Sequence, residues 1–146
     1  MARGKSKRWT ALPEKATTNK PMKMPIPYEA EMQRTIIEWT ENAPYKGRKI
    51  FDYTHHTPNG GLRSKSEAAR FKAMGVKSGY PDLSIDIVTE KYAGLRIELK
   101  RGNQGKLSEE QIELLAMLNE EGYYAVECNS IDGAIKTIQD YIKGLL

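Results

Sequence analysis

The sequence predicts a single α/β domain in which a central mixed β-sheet is flanked by helices. Three observations carry this expectation. Apolar residues recur at helical spacing after Pro27, two alternating runs in the middle of the chain are joined by a short polar connection, and a strand–helix–strand succession follows them. A chain of 146 residues suits one core, because a domain of this size buries roughly two-thirds of the surface its unfolded chain exposes.

From Glu29, the positions Met32, Ile36, Ile37 and Trp39 fall at helical spacing, and the breaker Asn42-Ala43-Pro44 ends the run. Lys49 to His55 has the β-branched and aromatic character of a strand, and Pro58-Asn59-Gly60-Gly61 imposes a turn or loop. Ser64 or Ser66 can cap a short helix that runs to about Met74, where Gly75 can end it. Asp82 to Val88 alternates apolar and polar residues, as does Leu95 to Leu99, so Thr89 to Gly94 reads as the connection of a β-hairpin. Ser108-Glu109-Glu110-Gln111 is a capping box that opens a helix with Ile112, Leu115, Ala116 and Leu118 on its apolar face. Gly122 ends that helix, Tyr123 to Cys128 is the next strand, and the succession makes Leu95–Lys100 and Tyr123–Cys128 parallel neighbours. A last helix from about Asp132 packs Ile135, Ile138 and Ile142 onto the sheet.

Residues 1–27 contain Pro13, Pro21, Pro25 and Pro27 and show no helical or strand period, which predicts a flexible basic arm ahead of a domain at 28–146. Residues 1–25 hold seven basic residues against Glu14 alone, a net of +6, so the remaining residues sum to −2. Eight more basic residues lie between Lys46 and Lys77, whereas residues 107–146 hold eight acidic ones against Lys136 and Lys143. One flank therefore suits phosphate, although such charges can equally well solvate a surface. The single cysteine, Cys128, has no partner for an internal disulfide and sits in an apolar run, as a buried small hydrophobe in a reducing compartment would. No apolar run approaches the roughly 18 residues that span a bilayer, so the expectation is a soluble, cytoplasmic protein that makes no use of a membrane.

The chemistry concentrates at Pro81-Asp82 and, one hairpin later, at Glu98-Leu99-Lys100. Alternate strand residues share a face, so Glu98 and Lys100 project to one side about 6.5–7 Å apart while Leu99 turns into the core. If the hairpin sets Asp82 alongside, Asp82, Glu98 and the Leu99 carbonyl supply hard oxygen ligands for Mg²⁺ or Mn²⁺. Lys100 is then the cation that holds the attacking water or helps deprotonate it, and offsets charge in the transition state. A symmetric turn centred near Tyr92 would set Asp82 two or three residues past Glu98, so a bulge or twist is expected to close the gap. The same triplet also fits a strand-capping aspartate and an ordinary cross-face ion pair.

The surrounding motifs are more specific. Pro58-Asn59-Gly60-Gly61-Leu62-Arg63, Lys72 through Leu83 with Gly75 and Gly79, Ile97-Glu98-Leu99-Lys100, Leu107 through Gln111, and Gly122 occur in an order that resembles the VRR-NUC family of PD-(D/E)XK nucleases. The resemblance covers most of residues 29–142 and leaves out the basic arm. It implies a restriction-endonuclease-like core and a Mg²⁺- or Mn²⁺-dependent phosphodiesterase centre. It also implies catalytic roles for Asp82, Glu98 and Lys100, for Glu29 as the first-helix glutamate supporting the metal site, and for Gln111 as the glutamine of the helix after the ExK pair. Glu31 competes with Glu29, and the helix dipole accounts for an acid at either place. A capping role alone would explain Gln111. Gly75 and Gly79 frame the loop before the catalytic strand, where turn geometry explains them at least as well as close passage of DNA.

Arg63, Lys65, Arg70, Lys72 and Lys77 are the candidate phosphate contacts, because they lead into the catalytic strand. His55 and His56 are adjacent, so on a strand they face opposite ways and do not form a metal pair. With no base-reading motif, the expected substrate is DNA recognised by shape, and stand-alone members of the resembled family suggest branched or four-way-junction DNA cut by a homodimer. A compact nuclease of this type suits a bacterium or a phage-infected host cell. The competing reading is a non-catalytic nucleic-acid-binding module with the same basic surface, which has no need of clustered carboxylates facing a phosphate.

Overall fold

The computed structural model describes residues 27–58 and 64–146, so most of the basic arm, together with Arg63 and the Asn-Gly-Gly turn, lies outside the described residues. Helix α1 spans Glu29–Asn42 and buries Met32, Ile36 and Thr40 along one side. Its first turn is held by Glu31, whose carboxylate accepts the Tyr28 backbone N–H at 3.1 Å.

The predicted strand over Lys49 to His55 is split into three pieces. Pro44–Tyr45 (β1) and Arg48–Lys49 (β2) form a small antiparallel ribbon, Ile50–Tyr53 is a 3₁₀ turn, and only Thr54–His56 (β3) joins the main sheet. The ribbon turns through Lys46 and Gly47, both at positive φ (45° and 77°), which is the backbone of a tight two-residue hairpin. Side chains bonded to nearby main chain explain the 3₁₀ turn: the Asp52 carboxylate accepts from the Lys49 N–H at 2.9 Å, and the Thr54 hydroxyl donates to the Ile50 carbonyl at 2.9 Å. Such local bonds offer the backbone an alternative to a ladder, and here they override the β-propensity of the run.

Helix α2 spans Lys65–Ala73, is capped by the Ser64 hydroxyl on the Glu67 N–H at 3.2 Å, and buries none of its residues. Strands β4 (Leu83–Ile85) and β5 (Leu95–Leu99) form the predicted hairpin, followed by α3 (Glu109–Glu120), β6 (Tyr124–Cys128) and α4 (Ile131–Ile142). The sheet order is β3-β4-β5-β6, with β3, β4 and β5 antiparallel in turn and β5 parallel to β6. This is the mixed sheet with flanking helices that the sequence predicts.

One face of the sheet makes the core. Leu83, Ile85, Leu95, Ile97 and Leu99 pack with Met32 and Ile36 of α1 and with Ala134, Ile138 and Tyr141 of α4. The interval-two alternation that sends these residues inward sends Ser84, Arg96 and Glu98 to the other face, with Lys100 one step beyond the strand. All four are buried there. On α3 the buried side differs from expectation: Ile112 is 53% exposed and Ala116 is exposed, while Leu115 and Leu118 are buried and Gln111 and Leu114 are half-buried. The inward stripe thus runs Gln111, Leu114, Leu115, Leu118 and turns Gln111 toward the sheet.

Beyond the hairpin, the buried Tyr141 hydroxyl donates to the Ile87 carbonyl at 2.7 Å, tying α4 to the β4–β5 connection. Tyr141→Phe keeps the ring and strands that carbonyl, so it should destabilise the fold by about 1–3 kcal/mol. Urea unfolding would show a lower midpoint at unchanged slope.

Candidate active site

The hairpin register brings Asp82 to Glu98 without a bulge. Leu83 pairs with Ile97, Ser84 with Arg96 and Ile85 with Leu95, so the next step sets Asp82 opposite Glu98. The symmetry point of this register is Glu90 rather than Tyr92. The turn closes instead through Thr89 and Tyr92, with the Thr89 N–H donating to the Tyr92 carbonyl at 2.9 Å and the Tyr92 N–H to the Thr89 hydroxyl at 3.1 Å.

Asp82 is fixed from both ends. Its carboxylate accepts the Leu99 N–H at 2.8 Å, and its own carbonyl accepts from the Thr57 N–H and from the ring nitrogen Nδ1 of His56, each at 3.0 Å. A strand residue's N–H and C=O leave toward the same edge in an antiparallel pair, so the Leu99 carbonyl also emerges on the Asp82 side. Glu98 is fixed by two donors on the same oxygen: the Lys100 ammonium at 2.8 Å and the Gln111 side-chain amide. Gln111 is itself anchored in the capping box, accepting the Ser108 N–H at 2.9 Å and donating its own N–H to the Ser108 hydroxyl at 3.2 Å. Capping and contact with Glu98 therefore coexist in Gln111.

Glu29 and Glu31 separate here. Glu31 caps α1, whereas Glu29 reaches across to accept the Arg101 N–H at 3.3 Å and adds its charge to Asp82 and Glu98. Gly79 lets the loop before β4 pass close to α3, since a side chain there would meet Glu110 Cβ at 3.3 Å and the Gln111 backbone nitrogen at 3.4 Å. In the same loop the Ser78 hydroxyl donates to the Glu110 carboxylate at 3.0 Å.

The electrostatics describe a centre short of positive charge. Burial pushes the Glu98 carboxyl up to about 7; the Lys100 hydrogen bond opposes this and the neighbouring Asp82 reinforces it. Burial also raises Asp82, against the Leu99 hydrogen bond and Lys100, while Glu29 adds to the rise. For Lys100, burial alone would lower the pKa, but the hydrogen bond to Glu98 and the fields of Glu98, Glu29 and Asp82 leave it above the ordinary lysine value. Lys100 is thus an ammonium at neutral pH. One cation beside two carboxylates and a nearby third leaves room for further positive charge, and the donors are hard oxygens, as Mg²⁺ and Mn²⁺ require. Among the described residues no three His, Cys, Asp or Glu side chains form a metal cage by themselves. Asp82, Glu98 and the Leu99 carbonyl are the oxygen donors that would hold such an ion.

The sequence profile of the VRR-NUC domain matches residues 27–132. The chain belongs to the VRR-NUC family. A solved structure described as a VRR_NUC domain protein is 47% identical, superposes with a TM-score of 0.71, and covers 79% of this chain and 88% of its own. No curated protein matches the chain. Membership makes this a nuclease-family protein, and its mixed sheet with flanking helices matches that VRR_NUC structure. Among the described residues no helix is long and apolar enough to cross a membrane.

Not every sequence candidate joins the VRR-NUC centre. Lys65, Arg70 and Lys72 are exposed on α2, and Lys77 is exposed on the loop that follows. None of the four takes part in an ion pair among the described residues. His56 was legible only as a residue facing away from His55; its bond to the Asp82 carbonyl depends on the β3–β4 pairing of His56 with Leu83, which no local pattern reveals.

A pH dependence follows with a definite sign. Glu98 titrates near 7 in the folded chain against an ordinary 4.5, so its contribution to stability is present below 4.5 and lost as pH rises through about 7. A divalent ion held by Glu98 would compete with that proton. Melting curves should show a larger stabilisation by Mn²⁺ at about pH 8 than at about pH 5, reaching about 2–3 kcal/mol at a hundredfold excess over Kd. Glu98→Gln should flatten that difference.

Proposed function

We propose that this protein is a Mg²⁺- or Mn²⁺-dependent DNA endonuclease that hydrolyses phosphodiester bonds at Asp82, Glu98 and Lys100. The observation that carries the reading is the buried Glu98–Lys100 pair, at 2.8 Å, set opposite a second, half-buried carboxylate whose position is fixed by the Leu99 N–H. An ion pair serving only solubility would lie in solvent, where pairs are worth little. Here both partners are sequestered, and the carboxylates remain under-neutralised.

When bound, the divalent ion would polarise a phosphate oxygen and make a coordinated water more acidic. Asp82 and Glu98 would hold it, with the Leu99 carbonyl as the third protein ligand. Gln111 keeps Glu98 oriented, and Glu29 adds negative field without occupying the same oxygens. Lys100 enters as an ammonium, so it orients the attacking water through hydrogen bonds and offsets charge that builds on the phosphoryl oxygens in the transition state. A base role for Lys100 would need a lowered pKa, which the surrounding carboxylates oppose.

The exposed cations of α2 and of the following loop would contact phosphates and not base edges, giving recognition by DNA shape with low sequence preference. Branched DNA is the substrate that the family resemblance implies. Paired cuts across a four-way junction need two centres, and a twofold homodimer would supply them.

Asp82→Asn and Glu98→Gln should each abolish cleavage of labelled DNA in Mg²⁺ or Mn²⁺ while leaving binding in EDTA intact, because each removes ligand charge and leaves the basic surface in place. Lys100→Ala should still bind Mn²⁺ in calorimetry but turn over about 10²–10³-fold more slowly. Near-wild-type turnover in either carboxylate variant would sink the assignment. A monomer in light scattering that cuts linear duplex and four-way junction equally would leave the nuclease reading and remove junction resolution.

A further inference from the structure

The sheet face that carries Glu98 continues past the carboxylates. Ser84 on β4 stands directly opposite Arg96 on β5, and alternation places both on that face, away from Leu95 and Ile97. Ser84 is 2% exposed and its hydroxyl has no hydrogen-bond partner; Arg96 is 8% exposed and its Nε–H has none.

The rest of the Arg96 guanidinium is held. Nη1 donates to the Leu95 carbonyl at 2.9 Å, Nη2 pairs with Asp86 at 3.1 Å, and the plane lies over the Tyr123 ring, 4.4 Å from its centroid. The Arg96 Nε–H and the Ser84 hydroxyl are therefore both left without a partner, on facing residues of neighbouring strands. A buried polar group without a partner costs about 1–3 kcal/mol, and native interiors contain few of them. Both residues line a cavity of about 520 Å³ that His55, Lys77 and Tyr80 also line.

We propose that this cavity holds a phosphate group of the nucleic-acid strand, one or two nucleotides from the bond that is cut. Two hydrogen-bond donors, a guanidinium and a nearby lysine select an anion with several acceptor oxygens. Asp86 is the opposing charge, and its side chain is 67% exposed, so it can turn into solvent when an anion takes its place on the guanidinium. That release, with rotation of the Ser84 hydroxyl, opens both donors to the cavity. The position fits a strand: Arg96 lies two residues before Glu98, about 7 Å along β5, and two rises along one DNA strand cover about the same distance. A strand crossing the carboxylates thus lays a neighbouring phosphate over Ser84 and Arg96. The proposal rests on the nuclease reading and adds to it a substrate subsite apart from the metal ligands.

The test uses the full chain, a duplex carrying one methylphosphonate at a known position, and Mn²⁺. Cleavage is mapped at every bond around the neutral linkage for the wild type, for Ser84→Ala and for Arg96→Lys, which keeps the charge and loses the Nε–H. Ser84→Ala removes an unpartnered hydroxyl and should fold at least as well as the wild type. The wild type should show cutting depressed about tenfold at a bond one or two nucleotides from the methylphosphonate. Both variants should cut unmodified DNA more slowly and lose that local depression, and in EDTA Ser84→Ala should bind unmodified duplex at least about fivefold more weakly. Identical maps and equal affinities for the wild type and Ser84→Ala would overturn the proposal alone. Inorganic phosphate that raises the melting temperature of the wild type but not of Ser84→Ala, with no local depression in the map, would reassign the cavity to a free anion and overturn the strand assignment. A wild type that cuts no unmodified DNA would be a different failure, that of the nuclease reading itself.

Discussion

Burial of β5 on both faces is the constraint on which the centre depends. Its five residues, Leu95 to Leu99, are all buried, yet their chemistry alternates: Leu95, Ile97 and Leu99 meet α1 and α4, while Arg96 and Glu98 lie on the opposite face. A charged group removed from water must find a partner or shift its pKa. Arg96 finds Asp86 and the Tyr123 ring, and Glu98 finds Lys100 and Gln111. The apolar face holds the strand in place, so the polar face does not depend on its own interactions for position. That separation lets the carboxylates remain under-neutralised without loosening the fold.

The same constraint explains why remote elements converge on two carboxylates. The Leu99 N–H is turned toward β4 by the strand's hydrogen-bonding alternation and there meets Asp82. Gln111 reaches Glu98 because the buried stripe of α3 includes position 111 rather than 112. Gln111 also closes the capping box, which makes its backbone position insensitive to what happens at the carboxylates. Glu29 approaches from α1 through the Arg101 N–H, so the first helix, the central strand and the third helix each bring one group.

Much of this was legible in the residues. The Ser108–Gln111 capping box, the interval-two pattern of Glu98 and Lys100, and the strand–helix–strand succession each act over a few residues, and each appears as expected. The failures share a cause, which is competition between local pattern and distant partners. Lys49 to His55 reads as one strand until the Asp52 and Thr54 side chains are seen bonding the nearby backbone. Ile112 reads as core because it is apolar, but the helix rotates to bury Leu115 and Leu118 and leaves it outside. The register of Asp82 against Glu98 depends on where the hairpin turns, and turn length says little about that when Thr89 and Tyr92 close an asymmetric loop. Glu29 and Glu31 are indistinguishable by spacing and are separated only by what each carboxylate touches.

Anomalous scattering from crystals grown with Mn²⁺ would test the central claim most directly. The account predicts a strong peak within coordination distance, about 2.0–2.3 Å, of the Asp82 and Glu98 carboxylates and the Leu99 carbonyl, with Lys100 beside it and not bound to it. A peak at another group of residues, or none at saturating Mn²⁺ with DNA present, would contradict it.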